Sequence, residues 1–268
     1  MQQSESLFGQ TDARPFQFGG LDRSWRRGPA SLVIWPNEVH VWKIYLKAPG
    51  LSDQRGVLSP DEQVRASRFR FHTDSDSFIA ARSSLRTILA RYLLTGPAEL
   101  KFGVNPFGKP HLMGDRDKLG LRFNLSHSHD VALLAVARNR DVGVDVEWMR
   151  SDFATEDVAR RFFSRFEVNQ LDSIAPELKT EAFFNCWTRK EAYIKARGEG
   201  LSFPLDQFDV AFAPDARPAL LRNRREPSEV SRWTFEELAP ARGYAAALAV
   251  EGNSSRLLLW DFQGSAIC

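Results

Sequence analysis

The chain is short of the residues that define several large protein classes. Among 268 residues there are only two cysteines, Cys186 and Cys268, and no CxxC pair. A disulfide framework is excluded, and a reduced, cytoplasmic setting is expected. Cys268 is terminal rather than fourth from the end, so it makes no prenylation box. No apolar run approaches the ~18 residues of a membrane span. The opening residues, MQQSESLFGQ, lack the basic-then-apolar order of a signal peptide. Charge of one sign is missing too: 36 Lys and Arg stand against 34 Asp and Glu, for a net charge of +2. That balance argues against general affinity for nucleic acid or a membrane surface. Neither a P-loop nor a G-x-S-x-G elbow occurs.

Apolar content is ordinary at 43%, and 20 Phe and seven Trp make the available core aromatic-rich. Residues 1–30 are polar and without periodicity, as in an irregular arm. Strands are expected at 38–46, 121–127, 131–138, 142–149, 208–212, 233–238, 243–252 and 256–262. Helices are expected at 59–69 behind a Ser-Pro start, at 74–94, at about 155–172 and at 179–197. In the 74–94 helix Phe78, Ala81, Leu85, Ile88, Leu89 and Tyr92 form the apolar stripe, with Arg82 and Arg86 on the exposed face. The stretches RFNLSHSHDVALLAVA and WTFEELAPARGYAAALAV are alike, each a short strand, a turn and an Ala-rich strand. The expected fold is α+β: a pseudo-dimer of two halves, 31–140 and 141–268, each an antiparallel sheet against a long helix, with a ligand cleft between them.

Three stretches carry chemistry. In GVDVEWMR, Asp145 and Glu147 are two apart on a strand and project from one face, while Val144 and Val146 face the other. In the 179–197 helix Phe183, Trp187 and Ile194 are the buried stripe, and Glu191 and Lys195 stand at its edge, four residues apart on one face. Gly198 or Gly200 supplies the left-handed cap. Asp145, Glu147 and Glu191 make an all-oxygen donor set without convergent His or Cys, which suits Mg²⁺. In FNLSHSHD, Ser126, His127, Ser128 and His129 are expected in a short strand-to-strand connection. A Ser–His nucleophile and a zinc pair both fit it less well than a loop offering hydroxyl, imidazole and N–H groups to phosphate, or plain turn residues. Lys109 is presented on a turn fixed by Gly108 and Pro110, and Arg65 and Arg68 precede the long helix.

Taken in order, FGKP, FNLSHS, GVDVE, FFSRFE and WTRKEAYIKARGEGLSFPL closely resemble the larger, surfactin-synthetase-activating type of 4′-phosphopantetheinyl transferase, over about residues 59–212. The resemblance implies a pseudo-dimer binding coenzyme A between its halves, with Asp145, Glu147 and Glu191 holding Mg²⁺ on the pyrophosphate. It implies that Arg65, Lys109, Ser126 and His127 contact coenzyme A and that Lys195 contacts phosphate and stabilises the transferring group. Glu167, in FFSRFE, matches an acid read as metal contact or base, and the candidates for taking the serine proton are Glu191 directly or a metal-bound water with Glu167. At Glu62 the chain departs from a lysine found in a relative. The implied partners are apo acyl or peptidyl carrier proteins, and the implied state is a monomer, since the halves already supply both walls of the cleft. The Phe- and Arg-rich stretch 149–166 suits docking of an acidic helical carrier. Two rival readings are a Mg²⁺-dependent phosphohydrolase and a non-catalytic coenzyme A-binding module.

Overall fold

A computed structural model describes residues 24–29, 32–253 and 256–264. The irregular arm expected at 1–30 lies mostly outside the described residues, as does Cys268. Its last part, β1 (Arg26–Arg27), is a short strand. There follow β2 (Glu38–Tyr45), α1 (Pro60–Ser67), α2 (His72–Leu93), the small hairpin β3 (Phe102–Val104) and β4 (Pro110–Leu112), and the long strands β5 (Leu121–Ser128), β6 (Val131–Arg138) and β7 (Val142–Trp148). Helices α3 (Glu156–Phe162), α4 (Arg165–Asp172) and α5 (Pro176–Arg197) come next. The chain ends in β8 (Phe208–Val210), β9 (Leu220–Asn223), β10 (Trp233–Leu238), β11 (Tyr244–Glu251) and β12 (Arg256–Phe262).

The main strands form two sheets, ordered β1-β12-β2-β6-β5 and β10-β11-β7. They pack face to face. Val39, Val41, Leu133 and Ala135 of the larger sheet meet Val144, Val146, Ala246 and Leu248 of the smaller one in a single apolar layer. The opposite face of the larger sheet is covered by α2, where Leu85, Ile88 and Leu89 pack with Trp42, Phe123 and Leu134. The opposite face of the smaller sheet is covered by α5, through Phe183, Ala192 and Tyr193 against Ala245, Ala247 and Ala249. The result is a helix–sheet–sheet–helix sandwich in which strands alternate side chains between a helix and the other sheet. No helix among the described residues is long and apolar enough to cross a membrane.

Three expectations are corrected. The strand 256–262, assigned to the second half, pairs in parallel with β2 at the heart of the first half's sheet. It is taken there because both its faces are apolar: Leu257 and Leu259 join the inter-sheet layer, and Trp260 and Phe262 the α2 side. The helix expected at 155–172 is two helices, broken where Phe163 is extended and Ser164 caps α4. Arg86 does not lie on an exposed face of α2; it is buried at 1% exposure, and its Nε donates to Glu62 Oε2 at 2.6 Å. Arg82 pairs with the other oxygen of Glu62, which also closes the capping box of α1 by accepting from the Ser59 N–H. Glu62 therefore ties α1 to α2, and the two arginines are engaged inside the protein.

Candidate functional site

β7 is the edge of the smaller sheet and β5 the edge of the larger one. Their side chains meet in a ladder. Asn124 Oδ1 accepts from the Val144 N–H at 2.8 Å, Ser126 Oγ donates to Asp145 Oδ1 at 2.8 Å, and Ser128 Oγ donates to Glu147 Oε2 at 2.8 Å. Ser126 and Ser128 are two apart on β5, as are Asp145 and Glu147 on one face of β7, so a single register lines up both carboxylate rungs, while the Asn124 rung reaches the backbone. On that face Gly143 lets α5 approach closely. A Cβ there would lie 2.1 Å from the Ala192 carbonyl oxygen and 2.3 Å from the Ala196 nitrogen. The helix thus lies against β7 with Glu191 and Lys195 beside the acid pair.

The geometry at this junction is tight. Lys195 Nζ lies 2.5 Å from Asp145 Oδ1 and 3.1 Å from Ser126 Oγ. Asp145 is 1% exposed, and its second oxygen, Oδ2, is buried with no hydrogen-bond partner among the described residues. Glu191 forms no hydrogen bond or ion pair among the described residues, and burial, then Asp145, push its carboxyl up to about 7. Burial and then Asp145 also raise Glu147, against the pull of Ser128 and Lys195. Burial draws Lys195 down, but Asp145 and the two glutamates outweigh it and hold the ammonium above its ordinary value. His127 is held below its ordinary value by desolvation and then by the Lys195 charge. Ser126, His127, Asp145, Glu147, Glu191 and Lys195 therefore form one electrostatic unit, drawn from β5, β7 and α5.

Three other expected residues stand apart. Arg65 is exposed on α1 with its guanidinium over the Phe78 ring at 5.2 Å, and it makes no contact with the acids among the described residues. Lys109 is near but turned to backbone: its ammonium donates to the Ala196 carbonyl at 2.7 Å and the Val142 carbonyl at 3.2 Å. Glu167 is fully buried at 0% exposure. Its oxygens accept from the Ser164 and Val210 N–H groups, both at 2.9 Å, and Lys190 Nζ lies 2.7 Å from Oε2. Lys190 itself donates to the Leu205 and Phe208 carbonyls, both at 2.7 Å. With these partners Glu167, expected as a metal contact or base, ties α4, α5 and β8 together. Ser128, expected in a connection between strands, lies at the end of β5, and its Oγ also accepts from the Trp148 N–H at 3.0 Å. The period of two shared by SHS and DVEW was the signal that could have paired it with Glu147.

A cavity of about 270 Å³ opens at the Lys109 turn, lined by Asn105, Lys109, His111, Arg122, Asp141 and Arg197 among others, and none of the six clustered residues lines it. As they stand, no three His, Cys, Asp or Glu side chains among the described residues are closed into a coordination shell. The donors nonetheless fit a hard cation. Asp145 keeps one unpartnered oxygen, and burial first, then the Asp145 charge, raises both glutamates, so the three carboxylates supply hard oxygen donors of the kind such a cation takes.

Two family models match in tandem: one described as the 4′-phosphopantetheinyl transferase superfamily over residues 141–249, and one described as the N-terminal part of 4′-phosphopantetheinyl transferase over 49–139. The 4′-phosphopantetheinyl transferase HetI of a Nostoc species is 39% identical over 245 residues, spanning 90% of this chain and all of that protein. A 4′-phosphopantetheinyl transferase of Bacillus subtilis is 31% identical over 74% of this chain and 88% of its own. The Bacillus subtilis transferase Sfp is 26% identical over 67% of this chain and 80% of its own. By the length and order of these matches, the chain belongs to the 4′-phosphopantetheinyl transferase superfamily, in its larger, Sfp-like type.

Proposed function

We propose that the chain transfers 4′-phosphopantetheine from coenzyme A to a serine of an apo acyl or peptidyl carrier protein, releasing adenosine 3′,5′-bisphosphate. The observation that carries this reading is the packing of α5 against β5 and β7, which sets Lys195 on Asp145 and Ser126 and brings Glu191 within electrostatic reach of Asp145 and Glu147. Asp145, through its unpartnered Oδ2, with Glu147 and Glu191, would hold Mg²⁺. When bound, the ion supplies charge neutralisation to the pyrophosphate oxygens.

The remaining chemistry belongs to the side chains. The carrier serine oxygen forms a bond to the β-phosphorus, the bond from that phosphorus to the bridging oxygen breaks, and the bisphosphate leaves with the electron pair. Phosphoryl transfer depends on positioning and on fixed charge near the spread negative charge. Lys195, held charged by the acids, provides it, and Ser126 and His127 offer further donors beside it. Glu191 takes the serine proton, because it is partly exposed beside the acid pair while Glu167 is sealed from solvent and saturated. Arg65, away from the cluster, is left for the nucleotide end of the ligand.

Incubating the protein with coenzyme A, Mg²⁺ and an apo carrier, then weighing the carrier, tests the proposal. A mass gain matching phosphopantetheine is expected. Free phosphate with an unchanged carrier would indicate a phosphohydrolase, and coenzyme A binding with no chemistry would indicate a binding module; either result overturns it.

A further inference from the structure

The turn that carries Lys109 is built to dock on another element. Asn105 Oδ1 accepts from the Phe107 N–H at 3.0 Å and the Lys109 N–H at 2.8 Å, and the Asn105 N–H donates to the Lys109 carbonyl at 2.9 Å. This closes Asn-Pro-Phe-Gly-Lys into a rigid tip on the β3–β4 hairpin, with Gly108 at φ +87°. The tip meets the end of α5. Asn105 Nδ2 donates to the Gly198 carbonyl at 2.7 Å, while Lys109 Nζ bridges the Ala196 and Val142 carbonyls. Closing carbonyls of a helix lack partners within the helix, and donors or cations there are favourable. There is no slack at the contact: a Cβ on Gly198, itself at φ +75°, would lie 3.0 Å from both Asn105 Nδ2 and Lys109 Cδ.

The two carbonyls that Lys109 joins are well placed. Val142 opens the strand that carries Asp145 and Glu147, and Ala196 follows Lys195 on the helix. They flank Gly143, where β7 and α5 approach most closely. The geometry points to Lys109 and Asn105 as positioning residues that clamp the end of α5 to the start of β7 and so hold Glu191 and Lys195 in register with the acid pair. The Lys109 amine is therefore not a phosphate ligand. Such a clamp does not depend on charge, since a neutral amine keeps two N–H donors for two carbonyls. Consistent with this, burial lowers Lys109 to about 8 despite the opposing pull of Asp141, with Arg122 adding to the drop.

The inference deepens the transferase reading and rests on it, so the test has one readout with substrate and one without. Lys109→Met and Asn105→Ala are compared with the wild-type full chain. Both variants are expected to lower kcat at least tenfold while the KM for coenzyme A stays within threefold. Hydrogen exchange of the amides at 192–198 should quicken at least tenfold, with that of α2 unchanged. A tenfold rise in KM at unchanged kcat and unchanged exchange in Lys109→Met would make it a phosphate ligand and overturn the clamp. Wild-type behaviour of Asn105→Ala overturns it as well. Were the wild type to transfer nothing, exchange would still decide, because it needs no substrate: unchanged protection at 192–198 sinks the clamp independently. Should Lys109→Met fail to fold, Asn105→Ala carries both readouts.

Discussion

Lys195 Nζ sits 2.5 Å from Asp145 Oδ1, so an ammonium from α5 occupies the side of the aspartate that faces the helix. The other oxygen is left buried and without a partner among the described residues. One oxygen of this carboxylate is thus paired by an internal cation and the other is left open.

Removing the internal cation strands a buried charge. Asp145 is 2% exposed at its side chain but Lys195 is 29% exposed, so the cost of Lys195→Met should fall below that of a fully buried pair, at about 1–3 kcal/mol. Urea unfolding of Lys195→Met, Asp145→Asn and the double variant measures it. The double variant should regain stability relative to Lys195→Met, and both single variants should lose transfer by a factor of at least a hundred.

The raised carboxyl of Glu191 fixes a pH dependence. Its folded value, about 7, lies above its unfolded value of 4.5, so the folded state holds the extra proton between them. Its contribution to stability is full below the unfolded value and is lost as pH rises through 7. Glu191→Gln removes this loss, so its Tm relative to wild type should climb from pH 5 to pH 8. Mg²⁺ should raise the wild-type Tm more at pH 8 than at pH 5, because ligand carboxyls must release protons to bind it. Thermal scans with and without Mg²⁺ at both pH values check this, and a Mg²⁺ effect of equal size at both would count against a three-carboxylate site.

Glu62 is expected to be structural. Its side chain is 6% exposed and Arg86, at 1%, has no other acid on it among the ion pairs of the described residues. Glu62→Gln should destabilise by about 3–5 kcal/mol, the range for breaking a buried pair. Glu62→Lys, which copies the lysine of a relative, should unfold the α1–α2 contact instead of adding a coenzyme A contact. Denaturation midpoints of both variants, alongside coenzyme A titration, distinguish these outcomes.

Glu167→Gln separates folding from catalysis. It leaves Lys190, at 0% exposure, against an uncharged partner and should lower stability by about 3–5 kcal/mol. Measured where the variant remains folded, kcat per folded molecule should stay within threefold of wild type. A hundredfold loss in folded protein would restore Glu167 as the base.

Much of the site could be read from local pattern. The period of two put Asp145 and Glu147 on one face opposite Val144 and Val146, and the latter pair is fully buried between the sheets. The four-residue step put Glu191 beside Lys195, and Gly198 does cap the helix in the left-handed conformation. Arg86 was misread as exposed, and the buried partner of Glu167 was not foreseen, for a common reason. A charged residue between apolar neighbours looks alike whether it faces water or a buried partner, and here the partners lie 24 residues away at Glu62 and 23 residues away at Lys190.

The sequence by itself determined the two long helices, α2 and α5, the long strands and the chemical type of the donors, because each follows from side-chain spacing within one element. Only the tertiary structure decided that the last strand crosses into the first sheet, that β5 and β7 meet edge to edge through three serine and asparagine rungs, and that Lys109 is turned to the end of α5. Those choices are made by pairing and packing between residues far apart in the chain, where many partners satisfy the same local pattern and only the shared burial of both selects one.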